Sequence, residues 1–248
     1  KFLPDQVIPF SVSREDAEKG FKDYVCKKKF VPRAFYNKKQ VESITGVYFP
    51  YWHYNTRLEG KMQGEARNVR VWRTGNTEYT ETKYYQVSRE GDVKLENLTE
   101  NALGKANQEL ICGVMPYDFK DVKKFQLGFL SGFLAEKRDI EKKQIEKKVQ
   151  QEARESAEKL MREQINGYSS VSVKNADFRA LKEKWSYTLL PVWTITYKAK
   201  NGKIYYFSMN GQTGKVCGEL PIDYKKISLV SGIVSLVTLV ILLLGGLA

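Results

Sequence analysis

The chain has 248 residues, of which 42% are hydrophobic and 28% are charged. This composition is too apolar for a disordered chain, and three cysteines are too few for a disulfide-framed scaffold. A single histidine, His53, excludes metal sites built on two histidines and leaves a hydrolytic triad with one candidate base. The length allows one or two domains.

The net charge of +12 is concentrated in two parts of the sequence. Residues 14–39 carry 9 basic and 4 acidic side chains, residues 174–226 carry 10 and 4, and the region between them is nearly neutral. Lysine outnumbers arginine by 30 to 11. Because arginine is preferred for reading bases and gripping phosphates, this excess favours solubility or attraction to an anionic surface over sequence-specific DNA recognition.

The first pattern along the chain predicts a helix. Ser13 to Asp16 resembles a capping box with Asp in place of the usual Glu. Apolar residues then recur at helical spacing through Val25, which predicts a helix over about 14–28 that ends before Pro32.

From Ser43 the pattern changes to that of β-strands. A dense aromatic run follows, and Pro50 is expected to interrupt it. Two further strand patterns, 68–73 and 77–88, flank Gly75-Asn76 and predict an antiparallel hairpin. We expect a further turn at Gly91-Asp92.

Two helices are expected in the middle of the chain. Leu103, Ala106 and Leu110 lie at helical spacing before Gly113 and predict a short amphipathic helix. The stretch 119–134 is strongly apolar and leaves helix and strand open. A long helix is predicted over 138–165, with charged residues around one apolar face: Ile145, Val149, Ala153, Ala157, Leu160 and Ile165.

The pattern after this helix is again that of strands. Residues 187–198 and 203–210 flank Asn201-Gly202, a signal for a two-residue hairpin turn, and residues 210–214 (NGQTG) predict the next reversal. We therefore expect an α+β fold, with an antiparallel β-sheet region and short helices, then a long helix plus an antiparallel meander. The predicted domains are 1–118, 119–224 and a transmembrane segment with its basic flank, 225–248.

A segment near the C-terminus, Ile227–Ala248, has 22 residues and no charge. A helix of this length spans the ~30 Å hydrocarbon thickness of a bilayer. A buried core helix of this length would nearly always have a polar face. The segment therefore predicts a single membrane-spanning helix.

Basic residues flank this segment on one side. Lys225 and Lys226 directly precede it and no basic residue follows it in the sequence, so the positive-inside rule predicts that the N-terminal part is cytoplasmic, in a protein of the cell membrane. Because the connection to the span is short, Lys182, Lys184 and Lys215 are also expected near anionic headgroups.

Small or hydroxylated residues form one face of the span, at spacings of 3, 4, 3 and 7: Ser228, Ser231, Ser235, Thr238 and Gly245. Small residues let two helices approach closely, so this face favours self-association or pairing with another membrane protein. Serine and glycine are also frequent in spans generally, and an unpaired helix stays equally open.

Sequence motifs that carry catalysis are absent from the chain. Gly211 to Val216 lacks the spacing and the hydroxyl of a Walker A loop, and no dinucleotide-binding, nucleophile-elbow or His-Glu-x-x-His motif occurs. Cys26, Cys112 and Cys217 are isolated and odd in number, as expected of reduced cytosolic thiols. We therefore expect a protein that is not an enzyme and binds no cofactor through this chain.

The most unusual soluble feature is the aromatic run at 48–54. One interpretation is a core strand covered on both faces; another is a groove whose aromatic side chains anchor a peptide or an amphipathic helix. Stacking on single-stranded nucleic acid is a third. The candidate partner-binding residues are Tyr48, Tyr51, Trp52, His53 and Tyr54.

Four segments carry a resemblance to a known family: residues 8–10 (IPF), 46–52 (GVYFPYW), 189–193 (LLPVW) and 210–221 (NGQTGKVCGELP). Their order resembles a bacterial family of membrane-anchored proteins with an N-terminal transcription-factor-IIB-type zinc ribbon, often mislabelled as primosomal protein N′ or replication factor Y helicases. The resemblance implies zinc in a ribbon that this chain lacks, which fits a missing N-terminal segment. Asn55 departs from the acidic residue expected there. The helix and meander of the second half also resemble a small PepSY-type module.

The favoured interpretation is a membrane-anchored cytoplasmic scaffold or recruitment protein without catalytic activity. Its expected partners are the membrane, other membrane-associated proteins and, through the span, a second copy of the chain. Two alternatives stay open: a nucleic-acid-associated factor that uses the ribbon and the basic surface, and a hydrolase that uses His53 with a nearby carboxylate or cysteine.

Overall fold

The computed structural model describes residues 3–32, 35, 43–104, 113–198 and 202–245. It has a mixed α+β fold with a large, mainly antiparallel sheet. The α-helices are α1, Arg14–Cys26; α2, Lys142–Glu163; and α3, Tyr224–Gly245. The strands are β1, Gln6–Val7; β2, Thr45–Thr74; β3, Thr77–Asn101; β4, Lys123–Lys124; β5, Leu134–Ala135; β6, Ser170–Lys198; β7, Ile204–Asn210; and β8, Val216–Gly218.

The chain forms two compact units. Unit 1 combines Lys1–Asp5, Tyr51–Gly104 and Arg138–Thr188. Unit 2 combines Gln6–Pro50, Lys105–Lys137 and Leu189–Ala248. The units are thus assembled from separated segments, whereas the sequence patterns divide the chain into consecutive stretches.

Unit 1 is built on a long antiparallel hairpin of β2 and β3. The predicted turn at Gly75-Asn76 is confirmed, with Thr74 paired to Thr77 and a positive φ of 61° at Gly75. β2 runs unbroken from Thr45 to Thr74, so the interruption expected at Pro50 is wrong, although the pairing with β3 begins only at Tyr51.

The predicted turn at Gly91-Asp92 is wrong, because β3 continues through it. Gly91 pairs with Gly60 on β2, and Arg57 Nε donates a hydrogen bond to Asp92 Oδ2 over 3.0 Å. The cross-strand partners therefore hold in extended pairing a dipeptide that favours turns when considered alone.

Helix α2 covers one face of this hairpin and contacts β3. Its predicted existence is confirmed, and its buried residues recur at every fourth position: Ile145, Val149, Ala153, Ala157 and Met161. The predicted face is wrong at its end, where Leu160 is 42% exposed and Met161 is buried instead. Four residues turn the helix by about 400°, so the buried row slants around α2 and leaves Leu160 beside it.

Two glycines of β2 let neighbouring elements of unit 1 approach closely. A Cβ added at Gly60 would lie 2.6 Å from Met161 Sδ and 2.6 Å from Phe178 Cε1. A Cβ added at Gly64 would fall onto the main-chain oxygen of Ser172 on β6. Side chains at these positions would push α2 and β6 away from β2.

Unit 2 packs α1 against β6 and β7. The predicted N-terminal cap is confirmed, since the Asp16 N–H donates to Ser13 Oγ over 3.1 Å. The indole N–H of Trp193 donates to the Val12 oxygen over 3.1 Å. One buried cluster forms the core: Ala17, Phe21, Val25, Val31, Phe35, Ile44, Trp193, Ile195, Phe207 and Met209.

The C-terminal strands of unit 2 form the predicted meander. β6 pairs with β7 from Val192–Asn210 to Lys198–Ile204, so the hairpin is confirmed, and its tip at 199–201 lies outside the described residues. The predicted reversal after Asn210 is also confirmed, because the Gly214 N–H donates to the Asn210 oxygen over 2.9 Å before β8. The buried Asn210 amide donates to the Val114 oxygen over 2.8 Å, which ties this turn to the preceding segment.

The middle of the chain contains short elements. The helix predicted from Ala106 and Leu110 falls on residues 105–112, which lie outside the described residues. The stretch left open at 119–134 contains a 3-10 helix at Phe119–Asp121, before the short strand β4, and another at Leu127–Leu130, between β4 and β5.

Candidate membrane-proximal site

Helix α3 is long and apolar enough to cross a membrane. Its segment Tyr224–Leu244 has a mean hydropathy of 2.8, and none of that segment is buried. Within the described ranges it is the one helix with these properties. The prediction of one C-terminal helix of membrane-spanning length is confirmed.

Asp223 directly precedes this helix and caps its first turn. Its Oδ1 accepts a hydrogen bond from the Lys226 N–H over 3.3 Å, and its main-chain oxygen accepts from the Ile227 N–H over 3.2 Å. An aspartate in this position satisfies free N–H groups and interacts favourably with the positive end of the helix dipole. The helix therefore begins at a defined point of the chain.

A segment that follows α1 is bonded to the start of α3. The Asp223 N–H donates to the Phe30 oxygen over 2.7 Å, and Lys226 Nζ donates to the Val31 oxygen over 2.6 Å. Val31 belongs to the core of unit 2, so these bonds join the first turn of α3 to that core. We call Lys27–Val31 and Leu220–Val230 together the collar.

The collar places an aromatic side chain beside the apolar part of α3. Phe30 and Lys29 line a cavity of about 520 Å³ with Leu229 and Val230, which lie more than one turn into the helix. Phe30 is 37% exposed, and Tyr224 at the helix start is 73% exposed. Exposed aromatic residues near the start of a membrane-spanning helix are typical of the membrane interface.

The collar carries several unpaired cations: Lys27, Lys28, Lys29 and Lys225. All four are exposed, and none lies within ion-pair distance of a carboxylate in the described part of the chain. Three of them follow the C-terminus of α1, where cations interact favourably with the helix dipole. That local explanation accounts for the charges but not for the exposed Phe30 beside them.

A second cavity of the collar, about 510 Å³ in volume, is lined by lysines and by apolar residues. We call it the lysine groove. We call its three exposed lysines, Lys27, Lys28 and Lys29, the rim, and its lining residues Tyr24, Leu220, Pro221 and Ile222 the floor.

Tyr24 is a neutral residue of this floor. Its hydroxyl donates to the Gly218 oxygen over 3.2 Å, and Lys28 Nζ lies 5.9 Å from the centre of its ring. Burial raises the pKa of Tyr24 above its ordinary value, with a smaller contribution from Cys217. The positive charge of the lysines is therefore not neutralised from within the groove.

The five predicted partner-binding aromatic and imidazole side chains are all buried: Tyr48, Tyr51, Trp52, His53 and Tyr54. The most exposed of them, Trp52, is 8% exposed, and its indole N–H donates to the Ile140 oxygen over 2.9 Å. The Tyr54 hydroxyl donates to Glu183. Because consecutive side chains of the strand are buried, this geometry agrees with a strand covered on both faces. A docking partner could not reach these side chains.

His53 lies next to a β-bulge between Tyr54 and Thr56. Its Nε2 is 3.1 Å from Oδ1 of Asn97, a residue with a positive φ of 63°. Burial lowers the pKa of His53 below its ordinary value, opposed by the bond to Asn97 and assisted by the charge of Lys184. An amide neighbour does not hold the imidazolium form as a carboxylate would.

The predicted basic residues are distributed over both units. Lys182 and Lys184 belong to unit 1, where they line a cavity of about 730 Å³ beside Asn55 and Arg57. Lys215 belongs to unit 2, where its Nζ donates to the Met115 oxygen. That these three lysines meet headgroups stays a prediction.

The predicted association face of α3 is exposed at Ser228, Ser231, Ser235 and Thr238. The Thr238 hydroxyl donates to the Val234 oxygen over 2.9 Å within the helix. Gly245 ends α3. Association through this face stays a prediction.

An exposed aromatic pair lies at the end of the β2–β3 hairpin in unit 1. Trp72 and Tyr79 are directly paired across the strands, with ring centres 5.6 Å apart and planes inclined by 14°. The Arg70 guanidinium lies 5.6 Å from the Trp72 ring. Such a pair stabilises the end of a hairpin, and aromatic and arginine side chains are also frequent anchors of protein interfaces.

Sequence patterns alone predict Lys225 and Lys226 but not the segment bonded to them. The signal for that segment is three consecutive lysines followed by Phe30, which contribute to the N-terminal excess of positive charge. Its partner residues lie almost two hundred positions away, as the separation of 195 between Val31 and Lys226 shows. No local pattern indicates such a contact.

Comparison with curated proteins finds one similar protein. The chain is 29% identical over 248 residues to the uncharacterized protein YdjG of Bacillus subtilis (strain 168), which covers 98% of this chain and 72% of that relative. No protein-family profile matches the chain, and no solved structure matches it.

Proposed function

We propose that the protein is a single-pass membrane protein whose α+β region is a cytoplasmic scaffold that recruits other membrane-associated proteins. The observation that carries this proposal is the fully exposed, apolar α3, bonded through Asp223 and Lys226 to the segment Phe30–Val31 of unit 2. A rigid connection of this kind holds unit 2 against the bilayer, where it meets partners confined to the same surface.

The collar supports the cytoplasmic orientation. Lys225 and Lys226 precede the span, and Lys27, Lys28 and Lys29 lie on the segment bonded to its first turn. Lysine next to a span favours the cytoplasmic side, because positively charged flanks are retained there during insertion. The collar thus adds charges that are distant in sequence to the two that flank the span directly.

The hairpin end is the proposed recruiting surface. Trp72, Tyr79 and Arg70 are exposed, while Tyr48, Tyr51, Trp52, His53 and Tyr54 are buried. Membership of the zinc-ribbon family belongs to the same proposal and is supported by the four segments at 8–10, 46–52, 189–193 and 210–221.

Affinity purification of the tagged, crosslinked chain from its native membrane tests this function. We expect specific membrane-associated proteins to be recovered, and fewer of them with Trp72→Ala/Tyr79→Ala. A matched control, Tyr84→Ala, removes an exposed tyrosine of the same strand and should leave recovery unchanged. A tag joined to α3 alone gives the background, and the proposal fails if the whole chain enriches no protein above it.

A further inference from the structure

The lysine groove has the charge of a site for a phosphate-containing group. Lys27, Lys28 and Lys29 form its rim, all three are exposed, and in the described part of the chain no carboxylate pairs with them. Lysine ammonium groups bind phosphate oxygens as point charges. Three of them along one cavity form a strong local positive field.

The hydrogen bonds of the collar fix the position of the groove along the axis of α3. Phe30 follows the rim lysines directly, accepts from the Asp223 N–H over 2.7 Å and lines a cavity with Leu229 of α3. If α3 spans the bilayer, as the proposed function requires, its first turn lies among the lipid headgroups and Leu229 lies near the hydrocarbon. The rim lysines then lie at headgroup level.

The floor of the groove has a chemistry that a soluble anion would not use. Leu220, Pro221 and Ile222 are apolar, Ile222 is exposed, and Tyr24 is neutral. A cationic rim above an apolar floor matches an amphiphile whose phosphate is joined to a glycerol and acyl chains.

We infer that the lysine groove binds the headgroup of an anionic phospholipid, with Lys27, Lys28 and Lys29 contacting phosphate oxygens and Leu220 and Ile222 contacting the glycerol and upper acyl region. The site rests on the membrane insertion of α3 but not on the recruitment of any partner. It makes the collar a lipid-selective contact in addition to an anchor.

Native mass spectrometry of the full chain in detergent micelles tests this site, with phosphatidylglycerol and phosphatidylcholine added as separate probes. We expect phosphatidylglycerol to bind more tightly than phosphatidylcholine. The triple variant Lys27→Gln/Lys28→Gln/Lys29→Gln should weaken phosphatidylglycerol binding on the order of tenfold to a hundredfold, because each lysine near an anionic surface contributes a several-fold factor. Lys27→Arg/Lys28→Arg/Lys29→Arg keeps the charge and should retain selectivity.

A matched triple variant, Lys143→Gln/Lys147→Gln/Lys159→Gln, removes the same charge from exposed positions of α2 in unit 1. It should leave phosphatidylglycerol binding unchanged. Equal binding of the two lipids by the unaltered chain, or equal weakening by both triple variants, would overturn the site. Displacement of the lipid by millimolar inorganic phosphate would show a free phosphate site instead.

The membrane requirement is measured separately. Alkaline extraction of membranes shows whether α3 is inserted, and release of the chain would remove the proposed function together with this site. Retention of the chain without lipid selectivity would remove the site alone.

Discussion

The ammonium group of Lys226 donates a hydrogen bond to the main-chain oxygen of Val31 over 2.6 Å. Val31 is buried in the core of unit 2, and Lys226 lies in the first turn of the apolar helix α3. A neighbouring hydrogen bond, from the Asp223 N–H to the Phe30 oxygen, also runs from the start of α3 to the segment that follows α1. Two bonds therefore hold the start of α3 at the segment Phe30–Val31, which leads into the core of unit 2.

We predict that Lys226→Met loosens this connection. The side-chain bond to Val31 is lost, so the adjoining bond from the Asp223 N–H breaks more often and its amide hydrogen exchanges faster. Hydrogen exchange of the full chain in nanodiscs measures this. Lys225→Met is the control, since Lys225 makes no side-chain bond in the described residues, and equal effects of the two substitutions would contradict the prediction.

We predict that Met161→Ala destabilises unit 1 by about 2–5 kcal/mol, because it removes a buried side chain between α2 and β2. Leu160→Ala should change the free energy of unfolding by about 0.5 kcal/mol or less, since Leu160 is exposed. Urea unfolding in detergent, followed by tryptophan fluorescence, measures both. A larger loss for Leu160→Ala would mean that the apolar face expected from periodicity is the buried one.

We predict that Gly64→Ala destabilises unit 1 by about 1–3 kcal/mol. The added Cβ would meet the main-chain oxygen of Ser172, and a strand backbone cannot move aside as a flexible side chain can. Gly91→Ala is the matched control in β3, because a Cβ there meets no atom within 4 Å. The same unfolding measurement applies, and equal losses would show that the close approach of β2 and β6 is not limiting.

We predict that protonation of His53 destabilises the fold below about pH 6.5. Burial lowers the pKa of His53 in the folded chain, so the folded state favours neutral imidazole. The stability that this provides is present above the unfolded pKa of about 6.5 and is lost as the pH falls through that value toward the folded pKa. The loss cannot exceed about 1.4 kcal/mol per pH unit.

The matching variant is His53→Gln, which cannot be protonated in this range. Because the chain has one histidine, the difference between the pH profiles of unfolding of the two proteins isolates its contribution. The free energy of unfolding should fall more steeply in the unaltered protein than in the variant between about pH 7.5 and pH 5.5. Parallel profiles would contradict the prediction.

Local sequence patterns predict the elements in which the local preference of the residues agrees with the structure. The apolar residues of α2, the Gly75-Asn76 turn and the uncharged part of α3 from Ile227 onward all have a clear period or composition, and each is present. Gly91-Asp92 favours a turn locally, yet its pairing with Glu59 and Gly60 keeps it extended. Tertiary pairing overrides local preference where a partner strand is already in place.

The early part of β6 is missed for a related reason. Residues 170–186 contain many charged side chains and lack the dense apolar run of a buried strand, although they pair beside β2 in unit 1. Likewise, only part of the candidate site can be predicted from the sequence. Lys225 and Lys226 follow from the span, whereas the contact of Phe30 with Asp223 joins positions that no local pattern relates.

Labelling of Cys26 in a variant that keeps no other cysteine tests the central claim most directly, namely that α3 anchors a cytoplasmic scaffold in the membrane. Cys26 ends α1 directly before the rim lysines and is exposed, so Cys112→Ser/Cys217→Ser leaves one reporter thiol beside the collar. With the chain retained in alkaline-extracted membranes, a membrane-impermeant maleimide should label Cys26 only after the cells are opened. Labelling of Cys26 in intact cells, or release of the chain from the membranes, would contradict a cytoplasmic scaffold anchored by α3.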